Sequence, residues 1–372
     1  MSAPDITEHD RDAVLRVLES GRLSMGAQTE LLEKHASARA RVRHGVAMSS
    51  GTAGLHVAVR ALDIARGDVV VTPSFSFAAS TNCFLYEGAV PAFADIDPVS
   101  LNVEPDHVRI AILQRRRAGE RVRAILPVHV FGQPCDMDPI RDIAREEELP
   151  IIEDSCEAIG AEYKGRAAGG LGDVGVFAFY PNKQMTTGEG GVLVTSSDRI
   201  AEWARSLRNQ GRGEGGAWLE HVRLGYNYRL DEMSAALGVA QIERLDELVE
   251  ARASVAAAYG RALTGIAGVV TPTIVETTTR MSWFVYVIRL ERGVDRGRVV
   301  AALAERGVET RPYFLPIHTQ PYIRSMFGDL AGTLPVTEDL GRRTLALPFH
   351  ARLSDDGVAY VADALRHAVN VA

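Results

Sequence analysis

Lys183 has the neighbours that give a side chain chemistry. It lies in FAFYPNKQMTTGEGG, residues 177–191, between an apolar run that reads as a strand and a glycine-rich turn. Pro181 and Asn182 stop the strand just before it. A lysine there projects over the strand ends, where open α/β sheets bind ligands. An amine shut away from water, or set beside another cation, loses its proton more readily and becomes a nucleophile and a base. A solvated loop lysine is the competing reading when the residue is taken alone.

Asp154 closes the apolar strand candidate LPIIED, residues 149–154. A carboxylate there needs a partner, and the protonated nitrogen of a flat heteroaromatic ring is one. A loop or N-cap aspartate is the plainer alternative. Glu153 precedes it and points the other way in an extended strand, so the two would not serve one ring. Ser50-Gly51-Thr52-Ala53 falls at a strand-to-helix turn, where backbone N–H groups and a hydroxyl can cradle a phosphate. An ordinary Ser/Thr cap accounts for the same residues. The run GxxxxGK[ST] is absent, which removes support for an ATP site. Phe75 and Phe77 can stack on a ring or pack in a core.

These residues need a scaffold, and the hydrophobic pattern supplies one. Strands are expected at 69–72, 90–96, 124–130, 149–154, 175–180 and 190–195, and a short one ends near Met48. Helices are expected at 10–19, 28–39, 52–65, 75–86, 104–116, 136–147 and 198–207. The alternation of apolar, β-branched strands with helices predicts a mostly parallel sheet covered on both faces. After residue 200 the texture changes. A polar loop at 209–216 precedes a long helix from 231, broken before it reaches 263; a strand at 283–290, a helix at 295–306, a Pro-punctuated loop at 312–321 and a helix at 355–369 follow.

Composition narrows the partners. The 372 residues are 46% hydrophobic, with 41 basic and 48 acidic side chains and a formal charge of -7. That balance suits a globular chain and offers no general attraction for nucleic acid or an anionic membrane. Cys83, Cys135 and Cys156 stand apart. They predict neither a disulfide framework nor a metal site, and they suit a reducing compartment. No signal peptide or spanning segment is expected, so a cytoplasmic location is.

Seven segments in order carry a resemblance. They are SSGTAGLHVAV (49–59), TPSFSFAAS (72–80), FADIDP (93–98), PVHVFGQPCDM (127–137), IIEDSCEAIGAEYKGR (151–166), GDVGVFAFYPNKQMTTGEGG (172–191) and GYNYRLDEMSAALG (225–238). Together they resemble the DegT/DnrJ/EryC1/StrS family of sugar aminotransferases over nearly the whole chain. The resemblance implies an α/β, aspartate aminotransferase-like fold, that of fold type I pyridoxal phosphate enzymes. It implies a large domain, 1–245, with an N-terminal helical segment and a mostly parallel seven-stranded sheet, and a small C-terminal α/β domain, 246–372. It further implies pyridoxal 5'-phosphate, L-glutamate and a nucleotide-linked keto-sugar as small-molecule partners, and an obligate homodimer with shared active sites.

Matched motif by motif, the resemblance makes Lys183 the covalent anchor and the acid/base. Asp154 would pair with the pyridine nitrogen and Phe77 would stack on the ring. Gly51, Thr52 and Ala53 would hold the phosphate, and Asn227 would reach the partner subunit's phosphate. Glu157 stands where many members carry Gln, near the ring's phenolic oxygen. His318 falls in a segment near the sugar; Arg229, Arg311 and Arg212 are candidate anion contacts, with surface or dimer salt bridges as the equal alternative. The chain departs from the pattern at Ala178, where many members have a phosphate-binding Ser. A hydrogen bond to a charged group contributes about 1.5–3 kcal/mol, so Ser50, Gln184 or water would have to replace it.

Family members that act as sugar dehydratases have histidine in place of the lysine. Lys183 therefore favours transamination. TTGEGG, LEHVRLGYNYRL (219–230) and RPYFLPIH (311–318) are similar to enzymes acting at C4 of a 4-keto-6-deoxy sugar, such as perosamine synthases. A 3-keto-sugar, a keto-cyclitol, or a non-catalytic binding or regulatory role on the same scaffold remain the alternatives.

Overall fold

Runs of valine, small residues and alternating aromatics build the centre of the molecule, seen in a computed structural model that describes residues 3–213 and 220–372. The central strands are β1 (His44–Met48), β2 (Val69–Pro73), β3 (Val90–Ala94), β4 (Val122–Ile125), β5 (Ile152–Asp154), β6 (Val174–Ala178) and β7 (Gly191–Thr195). They form a four-stranded sheet, β1-β7-β6-β5, and a three-stranded sheet, β3-β2-β4. Two isolated parallel bridges, Ile125 to Ile151 and Val128 to Asp154, link the sheets edge to edge. Of the seven strands in line, only β7 runs against its neighbours.

β2, β6 and β7 are buried along nearly their whole length, as strands covered on both faces must be. The helix Gly51–Ala61 follows β1 and lies across the sheet. Its approach is close: a Cβ on Gly54 would stand 2.7 Å from a methyl of Val176. Glycine is what lets the helix settle there.

Several expected elements are shorter than the pattern suggests. The helix expected from 75 begins at Ala79 and ends at Leu85. Residues 74–77 are drawn out of it by tertiary contacts: Ile317 N donates to Ser74 O at 2.9 Å, and His318 N donates to Ser74 Oγ at 2.9 Å. Strand β4 stops at Ile125, and the chain turns through a short 3-10 segment, Val130–Gly132. Gly132 has φ +91°, and a Cβ there would meet Ser282 O at 1.7 Å, so no other residue fits. The long helix breaks at Arg244 into Glu232–Glu243 and Leu245–Leu263, as expected. Part of the loop expected at 209–216, and Leu219 of the 219–230 segment, lie outside the described residues.

The C-terminal part is an antiparallel sheet of Val269–Val270, Tyr286–Leu290 and Thr344–Leu347. Helices Leu245–Leu263, Arg296–Glu305 and Asp355–Asn370 contribute to the hydrophobic cluster around it. Its strand starts at Tyr286 rather than 283. The sequence reading missed the strand Thr344–Leu347 and the short sheet formed by Glu162–Tyr163, Arg166–Ala167 and Thr278–Arg280. One hydrophobic cluster contains Val128 and Phe131 together with Phe284, Phe314 and Ala346, so the two parts of the chain share a core. Among the described residues no helix is long and apolar enough to cross a membrane.

Candidate active site

Three chain turns meet at the C-terminal ends of β1, β5 and β6. The first starts the helix at Gly51, the second follows Asp154, and the third carries Lys183. They enclose a cavity of about 430 Å³ lined by Gly51, Thr52, Phe77, Asp154, Glu157 and Lys183, among others. That volume suits a small organic ligand.

Asp154 is 4% exposed. Ser80 Oγ donates to its Oδ2 at 2.6 Å, and Cys156 N donates to its Oδ1 at 3.2 Å. A carboxylate accepts about four hydrogen bonds, so Asp154 has acceptor capacity left to offer the cavity. Glu153, one residue earlier, faces away as expected. It receives His129 Nε2 at 2.9 Å, Gly169 N at 2.9 Å, and the amides of Leu171 and Gly172. Cys135 N donates to His129 Nδ1 at 3.1 Å, so the ring proton sits on Nε2 and is given to Glu153.

The Lys183 amine lies 3.9 Å from the centre of the Phe284 ring and 3.5 Å from Glu157 Oε1. The other Glu157 oxygen accepts Phe131 N at 2.9 Å. Burial pushes the Glu157 carboxyl above its ordinary value, against the pull of the Lys183 charge and the Phe131 amide.

At the phosphate-cradle segment the cap and the cradle coexist. Ser50 Oγ accepts Ala53 N at 3.1 Å, so this hydroxyl and this amide are engaged in capping. Gly51 and Thr52 line the cavity and Ala53 does not. Ala178 packs tightly against the turn, with a Cβ on Gly51 placed 2.6 Å from Ala178 Cβ. Gln184 cannot replace the missing serine. Its amide nitrogen donates to Glu157 O at 2.6 Å and Ser282 O at 2.7 Å, outside the cavity.

Phe77 lines the mouth and is 66% exposed, which leaves its face available to a ring. Asn227 is exposed and lines no part of its own chain's cavity. Arg229 donates to Asn209 Oδ1 at 3.0 Å and Arg311 to Thr310 O at 3.2 Å; neither these nor Arg212 line the cavity. His318 does not line the cavity. It is fully buried, with Nδ1 2.7 Å from Ser74 Oγ and Nε2 3.1 Å from Glu338 Oε1. Both ring nitrogens are engaged, and the side chain pins the loop that carries it.

Ser80, Tyr180, Glu189, Phe284, Tyr313 and Phe314 also line the cavity, and sequence reasoning missed them. The four-residue spacing of Ser76 and Ser80, whose hydroxyls lie 2.7 Å apart, was a usable signal. The aromatic trio comes from distant segments and had none.

The residues fit pyridoxal phosphate. A buried carboxylate with spare acceptor capacity, an amine and a helix N-terminus share one cavity with an exposed aromatic ring at its mouth. Among the described residues no cluster of His, Cys, Asp or Glu could hold a metal ion.

Comparison with known proteins decides the matter: the model of the DegT/DnrJ/EryC1/StrS aminotransferase family matches residues 4–366. The chain belongs to that family. GDP-perosamine synthase of Caulobacter vibrioides is 37% identical over 368 residues, covering 98% of this chain and 96% of the relative. The crystal structure of S. venezuelae DesV in complex with a ketimine intermediate superposes with a TM-score of 0.89 at 34% identity, covering 96% of this chain and 93% of that one. DesI, solved in the presence of its TDP-sugar product, gives 0.88 at 32% identity, covering 98% and 91%. This family member is a pyridoxal phosphate-dependent sugar aminotransferase with the fold type I architecture.

Proposed function

We propose that the enzyme moves an amino group from L-glutamate to a nucleotide-linked 4-keto-6-deoxy sugar, by a ping-pong reaction in which Lys183 serves twice. The observation that carries this reading is the meeting of the Lys183 amine and the Asp154 carboxylate in one cavity. Pyridoxal phosphate, when bound, supplies an electron sink that makes the Cα–H of an attached amino acid acidic and lets amino and oxo groups exchange.

The chain's own residues do the rest. Asp154, steadied by the Ser80 hydroxyl and the Cys156 amide, would accept a hydrogen bond from the protonated ring nitrogen. The Lys183 amine anchors the cofactor, then takes up and returns the proton at the reacting carbon. Phe284, Tyr313 and Phe314 wall the amine with apolar surface and limit water there. Phe77, exposed at the mouth, would stack on the ring. Gly51 and Thr52 offer the first-turn amides of their helix to the phosphate.

The exposure of Asn227, away from its own cavity, supports a homodimer in which it serves the partner's phosphate. The 37% identity to a GDP-perosamine synthase supports amination at C4. The test incubates the enzyme with pyridoxal phosphate, L-glutamate and a panel of GDP-, dTDP- and UDP-linked 3-keto and 4-keto sugars. Mass spectrometry follows the exchange of oxo for amino. Transfer to a 4-keto-6-deoxy sugar, lost in Lys183→Ala, is expected. Turnover confined to 3-keto sugars, or to no nucleotide sugar, would overturn the reading.

A further inference from the structure

Arg252 is a cation without a counter-ion in the core. It is 2% exposed, lies midway along Leu245–Leu263, and has no salt-bridge partner among the described residues. Among the described residues its Nε has no hydrogen-bond partner, and burial pulls the guanidinium below its ordinary range, to about 10. Such a charge is costly to bury, and a well-packed apolar side chain often serves stability as well or better. The guanidinium lies over the Phe349 ring, 5.7 Å from its centre, and that contact fixes neither of its terminal nitrogens.

Its hydrogen bonds supply the account. Nη2 donates to Lys183 O at 2.7 Å and Nη1 donates to Phe284 O at 3.2 Å. These two residues meet again inside the cavity, where the amine stands 3.9 Å from the Phe284 ring. The contacts form a closed loop: guanidinium, Lys183 backbone, amine, Phe284 ring, Phe284 backbone, guanidinium. Lys183 comes from the turn after β6, and Phe284 precedes the C-terminal strand Tyr286–Leu290. No hydrogen bond joins Lys183 to Phe284 directly in this arrangement; Arg252 spans them from behind.

We propose that Arg252 is a positioning residue, which fixes Lys183 and Phe284 against each other and thereby aims the amine into the cavity. A guanidinium grips the two carbonyls from separate nitrogens of one rigid planar fork, whereas an ammonium is a point charge on a flexible stem. The role deepens the aminotransferase reading and rests on it for turnover, though not for aiming the amine.

The test uses Arg252→Lys and Arg252→Gln in the full chain, with Phe284→Leu as a second route that keeps the Phe284 carbonyl and Arg252 while removing the ring. The first measurement needs no sugar. Pyridoxal phosphate is added to cofactor-free protein, the visible band is followed in time, and borohydride reduction with peptide mapping fixes the site at Lys183. Misplacing a reacting group by about 1 Å costs up to about 100-fold in rate, so capture is expected to slow by about 10- to 100-fold in all three variants. The second measurement is turnover: kcat should fall by a similar factor while KM for donor and acceptor holds within about twofold. Thermal melting reports folding separately. Wild-type capture rates in Arg252 variants that melt at lower temperature would make Arg252 a stability element and overturn the proposal. Unchanged capture in Phe284→Leu would also overturn it. If wild-type protein captures the cofactor at Lys183 but aminates no nucleotide sugar, the functional reading fails and this one stands.

Discussion

Gly51→Ala puts the phosphate cradle to a quantitative test. The added Cβ would lie 2.6 Å from Ala178 Cβ and 2.9 Å from Cys156 Sγ. Carbon atoms in contact sit at about 3.5–4.0 Å, so the neighbours must part by about 1 Å. Ala178 belongs to β6 and has no rotamer to yield, so the start of the Gly51–Ala61 helix has to lift. Overpacking of this kind costs about 1–3 kcal/mol, against a gain of about 0.5–1 kcal/mol for alanine in a helix. The net effect on the cofactor-free protein is a loss on the order of 1 kcal/mol. The cofactor loses more. A first-turn amide moved off a phosphate oxygen forfeits a bond to a charged group, about 1.5–3 kcal/mol, or about 10- to 150-fold in affinity. Absorbance titration with pyridoxal phosphate reads the second effect, and melting without cofactor reads the first. Gly260→Ala is the control: it lies in Leu245–Leu263 with nothing within 4 Å of the new methyl. It should gain about 0.5–1 kcal/mol and leave cofactor affinity alone. Gly51→Ala that melts lower but binds the cofactor within about twofold of wild type would refute the cradle.

Three further outcomes follow from the geometry. Burial holds the Glu157 carboxyl above its ordinary value, so its contribution to stability is full at low pH and is lost as pH rises through that raised value. Glu157→Gln should therefore gain melting temperature over wild type with increasing pH, and more so in a Lys183→Ala background, which lacks the opposing charge; a constant offset would count against the burial argument. Ala178→Ser should tighten cofactor binding by about tenfold or more if the hydroxyl reaches the phosphate, and an unchanged dissociation constant would mean another donor already holds it. His318→Ala leaves Ser74 and Glu338 without their shared partner and should cost about 2–4 kcal/mol in chemical denaturation, with KM for the keto-sugar unchanged. A raised KM without lost stability would return His318 to the sugar pocket.

The parts of the site legible in the sequence are those fixed by local pattern. Asp154 ends an apolar strand, Lys183 follows one, and Gly51 opens a helix, so each announces its place at a strand end. Alternation along a strand was enough to send Glu153 and Asp154 to opposite faces. What failed depended on contacts across the chain. The helix expected from Phe75 is shortened because Ser74 is held by Ile317 and His318, more than 200 residues away. His318 reads like a ligand by type, and only its two buried partners show otherwise. Phe284, Tyr313 and Phe314 have no local signature, since an aromatic lining a cavity and one filling a core look alike in one dimension. Arg252 is the same case: a guanidinium in the middle of a helix reads as solvated until the carbonyls it grips are seen.

The neighbouring carboxylates of β5 have a mechanical consequence. Glu153 is tethered by four donors, and Asp154 is joined to it by one peptide unit, about 3.8 Å from Cα to Cα. The Asp154 carboxylate, the proposed acceptor for the ring nitrogen, is thus anchored like a surveyor's benchmark. Motion that admits substrate or releases product is expected instead at the mouth, where Phe77 is exposed. Heating the enzyme should loosen the mouth before Asp154 shifts.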